Sequence, residues 1–155
     1  MERALCEIRT ARDTDRSMLL LLAEETLHPL AAAAGHPERY HTTELLELFD
    51  RADIFVGEVD GEIAGYVVVE SEDDGLALRC LCINPGFEDR GVADQLVDWA
   101  EGLAVNWRLG RLVAHVPVAD EQSLRLYRSH GFVASPDGVR PDLLNVTKRL
   151  PAVES

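Results

Sequence analysis

Three runs of strand-forming residues follow one another between positions 53 and 83, and only turn signals separate them. This leaves few options for the fold. Residues 53–59 read as a strand, Asp60-Gly61 is a two-residue hairpin signal, and residues 62–70 are the β-branched partner. Asp73-Asp74-Gly75 turns the chain again. Residues 76–83 form an apolar run that stops at Asn84-Pro85. Turns this short join antiparallel neighbours, so the predicted centre is a three-strand meander.

The flanking pattern is mixed. Residues 6–12 alternate Cys, Ile and Thr with Glu and Arg, which predicts a first strand. Thr14 or Asp15 is placed to cap a helix whose apolar residues run from Met18 through Leu22 to Leu27. His28-Pro29 is expected to interrupt it, with a further turn at the alanines before Gly35. Thr42 or Thr43 opens a second helix carrying Leu45, Leu46, Leu48 and Phe49. After the meander, Val92, Leu96, Trp99, Leu103 and Trp107 recur at helical spacing, which predicts a buried stripe on a helix over 91–109 that Gly110 ends. A strand at 112–116, a helix at 120–130 closed by Gly131, and strands at 132–134 and 144–150 complete the chain. The order is β-α-α-β-β-β-α-β-α-β-β, a mixed and predominantly antiparallel α/β sheet flanked by helices. One domain over 1–155 is expected, with loose ends at 1–4 and 151–155.

Composition narrows the function. Hydrophobic residues at 46% and charged residues at 28% are globular values. The longest apolar run near the start, 18–23, is far short of the ~20 residues of a helical span, and no charged leader precedes it. Three cysteines make no disulfide scaffold, and a cytoplasmic protein with no membrane partner is expected. The net charge is 15 − 28 = −13, a field that repels phosphate backbones and argues against nucleic acid as a partner. Fourteen of the fifteen basic residues are Arg. Three readings of this balance stay open: a halophilic source, a GC-rich genome, or an acidic pocket for a cationic substrate.

Two segments carry chemistry. Residues 83–93 read INPGFEDRGVA, a strand end, a loop and the start of the long helix. Helix starts offer unpaired N–H groups and a positive dipole end, and small residues at Gly91 and Ala93 let a phosphate approach the backbone. The alternative is an ordinary strand-to-helix connection. Neither a P-loop nor a dinucleotide fingerprint is present. The second segment runs from Asp120 to Phe132, a short helix with Leu126-Tyr127 near its end and Gly131-Phe132 after it.

At these residues the chain resembles the GCN5-related N-acetyltransferase family. The family's cofactor motif, Gln/Arg-x-x-Gly-x-Gly/Ala after Val/Ile-x-Pro, is matched by Glu88 to Ala93 after Ile83-Asn84-Pro85. Its later motif, Asn-x-x-Ala-x-x-Leu-Tyr-x-x-x-Gly-Phe, is matched by Asp120 to Phe132. The motifs stand in the family's order, one helix and one strand apart, and the resemblance spans nearly the whole chain. It implies the acyl-coenzyme A N-acyltransferase fold and acetyl-coenzyme A as co-substrate, with no metal. Leu81, Cys82 and Ile83 would splay from the next strand and pair with pantetheine. The stretch Asp89, Arg90, Gly91, Val92, Ala93 and Asp94 would wrap the pyrophosphate, and Asp120 would add a polar contact. Tyr127 would protonate the leaving thiolate, against the alternative of simple core packing. Relatives often dimerise, so a homodimer is one expectation. Glu88 stands where the family has Gln or Arg, and Asp89 adds a second acid. That should weaken coenzyme A binding at low salt.

The base is less legible. No carboxylate occurs between Leu76 and Asn84. His115 stands twelve residues before Tyr127, where some relatives carry Glu, and can relay a proton; an exposed strand histidine is the alternative. Glu24, Glu25 and His28 are alternative bases or substrate contacts. His28, His36 and His41 gather with Tyr40 around the helix-helix loop, which lines the acceptor side in the family. Cys80 and Cys82 share a strand face, where packing is favoured over a metal pair or a nucleophile. The expected activity is direct acetyl transfer to a primary amine of a small molecule or peptide. The alternatives are a degenerate acyl-coenzyme A sensor or another acyl donor.

Overall fold

In a computed structural model that describes residues 3–151, the predicted element order is observed. Strand β1 spans Glu7–Thr10, followed by helices α1 (Arg16–Ala33) and α2 (Thr42–Arg51). The meander is β2 (Asp53–Val59), β3 (Glu62–Glu72) and β4 (Gly75–Ile83). Then come α3 (Val92–Asn106), β5 (Arg111–Pro117), α4 (Glu121–Ser129), β6 (Val133–Pro136) and β7 (Leu143–Arg149). The strands form one seven-stranded sheet in the order β1-β2-β3-β4-β5-β7-β6, antiparallel except for β4 beside β5. No described helix is long and apolar enough to cross a membrane.

Strand alternation gives the sheet two apolar faces. Val67, Val69, Leu76, Leu78, Leu112 and Ala114 pack on one side with Val92, Leu96 and Ala100 of α3 and Leu124 and Tyr127 of α4. Tyr66, Val68, Cys80 and Cys82 pack on the other with Leu19, Leu22 and Ala23 of α1 and Leu45, Leu48 and Phe49 of α2. The buried Tyr66 hydroxyl donates to the Leu19 carbonyl at 2.8 Å, which ties α1 to the sheet. Gly65 is needed where α3 meets the meander. A β-carbon there would lie 2.8 Å from the Cys82 carbonyl oxygen and 3.2 Å from Val92 Cγ1.

Three sequence expectations give way. The helix α1 runs through Pro29 to Ala33. The carbonyl that Pro29 deprives of a donor belongs to Glu25, and both residues are exposed, so water can satisfy it. The continuation has a consequence for the site, because it carries Leu30 and Ala31 over the sheet. Pro29→Ala should therefore raise stability by about 1–3 kcal/mol, read as a higher chemical-denaturation midpoint. Trp99 and Trp107 are 36% and 42% exposed; Val97, Ala100 and Ala104 take the buried positions instead. The long helix stops earlier than Gly110, because Arg108 adopts the left-handed conformation (φ 59°).

The start of the chain is not loose as far as it is described. The Ala4 N–H donates to the Arg90 carbonyl at 2.8 Å, and Gln95 Nε2 donates to the Ala4 carbonyl at 2.7 Å. Ala4 is buried. Residues 1–2 and 152–155 of the expected loose ends lie outside the described residues.

Candidate active site

The site begins where two strands part. The parallel pairing of β4 with β5 covers only Gly75↔Arg111, Leu76↔Leu112 and Ala77↔Val113. Two causes act together. The chain bulges in β4, where Val68 faces Cys80 and Val69 faces Leu78, so that Arg79 is the extra residue. On the other side β5 goes on pairing with β7 as far as Pro117↔Leu143 and is drawn away.

Beyond Ala77 the outer edge of β4 is therefore unpaired with β5. The Asn84 N–H donates to the Ala64 carbonyl of β3 at 2.8 Å. Alternate residues of an antiparallel strand turn their polar groups to the same side. Cys82 therefore faces β3, while the N–H and C=O groups of Leu81 and Ile83 point into the gap. The expectation for Leu81, Cys82 and Ile83 thus divides. Leu81 and Ile83 line the gap, and Cys82 does not.

Cys80 and Cys82 point toward α1 and α2, at 2% and 0% exposure. Burial pushes the Cys82 thiol up to about 11 and the Cys80 thiol well above its usual value. Both stay protonated at neutral pH, so neither supplies the thiolate a nucleophile needs. Among the described residues, no group of three or more His, Cys, Asp or Glu side chains is arranged to hold a metal.

One end of the gap is the start of α3. Gly91 is its N-cap with φ 79°, and Asp89 is also left-handed at φ 61°. A helix start of this kind leaves its first N–H groups without partners inside the helix and carries the positive end of the dipole. A cleft of about 260 Å³ lies here, lined by Thr26, Leu81, Ile83, Asp89, Gly91 and Ala93 among others. Val92 and Asp94 also line it; Arg90 does not, and its guanidinium lies 5.4 Å from the Phe87 ring centroid. Glu88, Asp89, Asp94 and Asp120 bring four carboxylates to the cleft. Two of these are occupied. Asp94 accepts from His130 at 2.8 Å, and Asp120 caps α4, accepting from the Ser123 N–H at 3.1 Å and its hydroxyl at 2.7 Å.

The other end is a second cleft sharing Leu27, Leu30, Leu81, Asp120 and Ser123 with the first. Tyr127, Tyr40 and His115 line it. Tyr127 is 5% exposed, its ring 5.0 Å from that of Phe132. Burial raises its phenol above the usual value, so it keeps its proton throughout the working range. Burial also pushes Tyr40 up to about 12, partly opposed by Arg39. Tyr40 is held at φ 59°, a strained conformation for a bulky residue. Its N–H donates to Glu44 at 3.2 Å.

His115 stands on β5 opposite Asn145 of β7. Its Nδ1 lies 2.6 Å from Asn145 Oδ1, an acceptor; in the neutral ring Nδ1 then donates to that oxygen and Nε2 holds the lone pair. Asp137 is 3.8 Å from the same nitrogen. Sequence reasoning missed Asn145 and Asp137, whose proximity depends on β7 inserting beside β5. The remaining expected contacts scatter. Glu24 is exposed on α1 and lines neither cleft. His28 also lines neither; its Nδ1 lies 3.1 Å from the Arg39 carbonyl oxygen and its ring meets His41 edge-on at 5.8 Å. His36 leaves that group and is buried against Asp142.

The fold agrees with that of known proteins. The solved structure of PaiA N-acetyltransferase from Thermoplasma acidophilum, in complex with coenzyme A, superposes with a TM-score of 0.79 at 16% identity, covering 94% of this chain and 99% of that one. Ard1 from Thermoplasma volcanium gives 0.77 at 17% identity, covering 96% and 99%. At these identities the likeness is one of fold. In sequence, an uncharacterized N-acetyltransferase from the pepI 3′ region of Lactobacillus delbrueckii subsp. lactis is 29% identical over 83 residues, 48% of each chain. The match thus spans about half the length of that relative. The Acetyltransferase (GNAT) family profile matches residues 9–132, which include the meander, the start of α3 and the Tyr127 helix. On that match and that architecture, the chain belongs to the GNAT acetyltransferase family.

Proposed function

We propose that this chain, as one catalytic domain in the cytoplasm, transfers the acetyl group of acetyl-coenzyme A directly to an amine. The observation that carries the reading is the gap after Ala77, with Tyr127 and His115 on one cleft at its end. The backbone suits the co-substrate: outward amides on β4 match the amides of a pantetheine arm, and the start of α3 suits pyrophosphate. The side chains oppose it, since four carboxylates line the same cleft.

In the step, the amine nitrogen forms a bond to the thioester carbon and the carbonyl electron pair moves to oxygen. That pair returns as the carbon–sulfur bond breaks. One proton leaves the amine and one reaches the sulfur, so thioester plus amine becomes amide plus thiol. His115 Nε2 takes the first proton, directly or through water, and Asn145 positions the ring. The outward N–H groups of Leu81 and Ile83 face the side where oxyanion charge develops. Tyr127 supplies the second proton from its hydroxyl.

Mass-spectrometric detection of acetylated product across a panel of amines, from low salt to molar KCl, tests the reading. Product and free thiol in equal amounts are expected, with tighter co-substrate binding as salt screens the carboxylates. Tight binding without product on any amine would favour a sensor, the reading that the acidic cleft supports.

A further inference from the structure

Arg39 carries an unmet demand beside this site. Its Nη1 is buried and has no hydrogen-bond partner, and among the described residues Arg39 contacts no carboxylate as an ion pair. A buried donor without a partner is costly, more so on a charged group. The side chain is nevertheless held in place. Nη2 donates to the Tyr40 hydroxyl at 3.3 Å, and the guanidinium stacks 5.1 Å from the centroid of that ring. The strained backbone of Tyr40 fixes the pair.

Arg39 opens on a third cleft with Arg51, Arg79, Glu44, Glu47 and His115. The other two arginines are already used. Glu70 lies 3.0 Å from both, and Glu72 is 2.6 Å from Arg79. Among the described arginines on this cleft, Arg39 is the one with no carboxylate partner. This cleft meets the Tyr127 cleft at Leu78, Arg79 and His115. A ligand bridging the two would place an anion at Arg39 and another group at His115 and Tyr127. Glu44 and Glu47 on the same walls disfavour a dianion such as phosphate, which leaves a carboxylate, the planar partner that a guanidinium fork matches.

We infer that the acceptor is an amino acid or similar small molecule whose free carboxylate, a few bonds from the reacting amine, is held by Arg39. The inference rests on the acetyltransferase reading. It sets the local cationic wall against the chain's overall −13, and so against polyamines and against protein N-termini, where an amide replaces the carboxylate.

The test pairs free L-amino acids with their α-carboxamides. The wild type should favour the acid of the best pair by about 10- to 100-fold in kcat/KM, the range of a charge-assisted bond. The amide's amine loses its proton more readily, which biases the comparison against this result. Arg39→Gln should collapse the ratio to near unity, mainly through KM, with coenzyme A affinity unchanged and the melting temperature level or higher, because a buried unpaired donor on a charged group is removed. Arg39→Lys should restore part of it. Equal use of acid and amide by the wild type, or an unchanged ratio in Arg39→Gln, overturns the inference. If no amine is acetylated, the acetyltransferase reading fails separately. Titration of the coenzyme A complex with the same pairs then reads the carboxylate preference alone, and its absence overturns the site.

Discussion

Tyr127→Phe should lower the single-turnover rate by about 10²-fold or more, the lower end of general acid–base contributions. The substitution removes one hydroxyl and leaves the ring on Phe132, so packing and the melting temperature should hold. Co-substrate affinity should change little, because the hydroxyl acts when the sulfur departs. The pH profile gives a second readout. Since burial keeps the phenol protonated above its ordinary range, Tyr127 should produce no fall in rate on the alkaline side. His115→Ala should instead cost most at low pH, where the amine holds its proton. A wild-type rate in Tyr127→Phe, measured in a single turnover so that product release cannot mask it, would reduce the ring to packing and leave the acid role to solvent.

Placing a charge at the start of α3 should have an effect of similar size on binding. Ala93→Glu puts a carboxylate at the second position of the helix, on the cleft wall. There it is favourable for the free protein, by about 0.3–1 kcal/mol, because it faces the positive end of the helix dipole. Against a bound phosphate it costs about 4 kcal/mol at 4 Å in an effective dielectric of 20. Coenzyme A affinity should therefore fall by about 10²-fold or more while the melting temperature stays level or rises. Unchanged affinity in a calorimetric titration would remove the phosphates from this helix start. Gly91 is the wrong place for the same experiment. Its φ of 79° strains any side chain, and a β-carbon would meet Arg3 Cγ at 2.8 Å. A loss there would report on folding as much as on binding.

The local grammar of the chain carried most of its element order. Asp60-Gly61 and Asp73-Asp74-Gly75 announce the meander because turn conformations depend on the few residues within them. Gly131 after α4 and Asp120 before it are legible for the same reason, the second through a carboxylate that accepts from Ser123. Pro29 misled because its penalty is local, whereas packing of Leu19, Leu22 and Ala23 on the sheet and exposure of Glu25 to water are not. Trp99 and Trp107 misled because helical spacing finds a stripe but not its edges, and the smaller Ala100 and Ala104 fit closer to the sheet.

The site divides along the same line. Tyr127, the start of α3 and the end of β4 lie in short motifs whose spacing can be read directly. The parting of β4 from β5, the Asn145 partner of His115 and the spare edge of Arg39 cannot be read in that way. The first two depend on residues brought together from distant parts of the chain, a bulge against β3 and β7 inserted beside β5; the third depends on which carboxylates of the sheet pair with Arg51 and Arg79 and leave Arg39 without one. The sequence alone determined where the chain turns, which faces of its strands are apolar and where its helices start, because those follow from neighbours within a few residues. Only the tertiary structure decided which backbone amides face the gap, which carboxylates are already occupied and which cation is left over, because a hydrogen bond is settled by what reaches an atom in space.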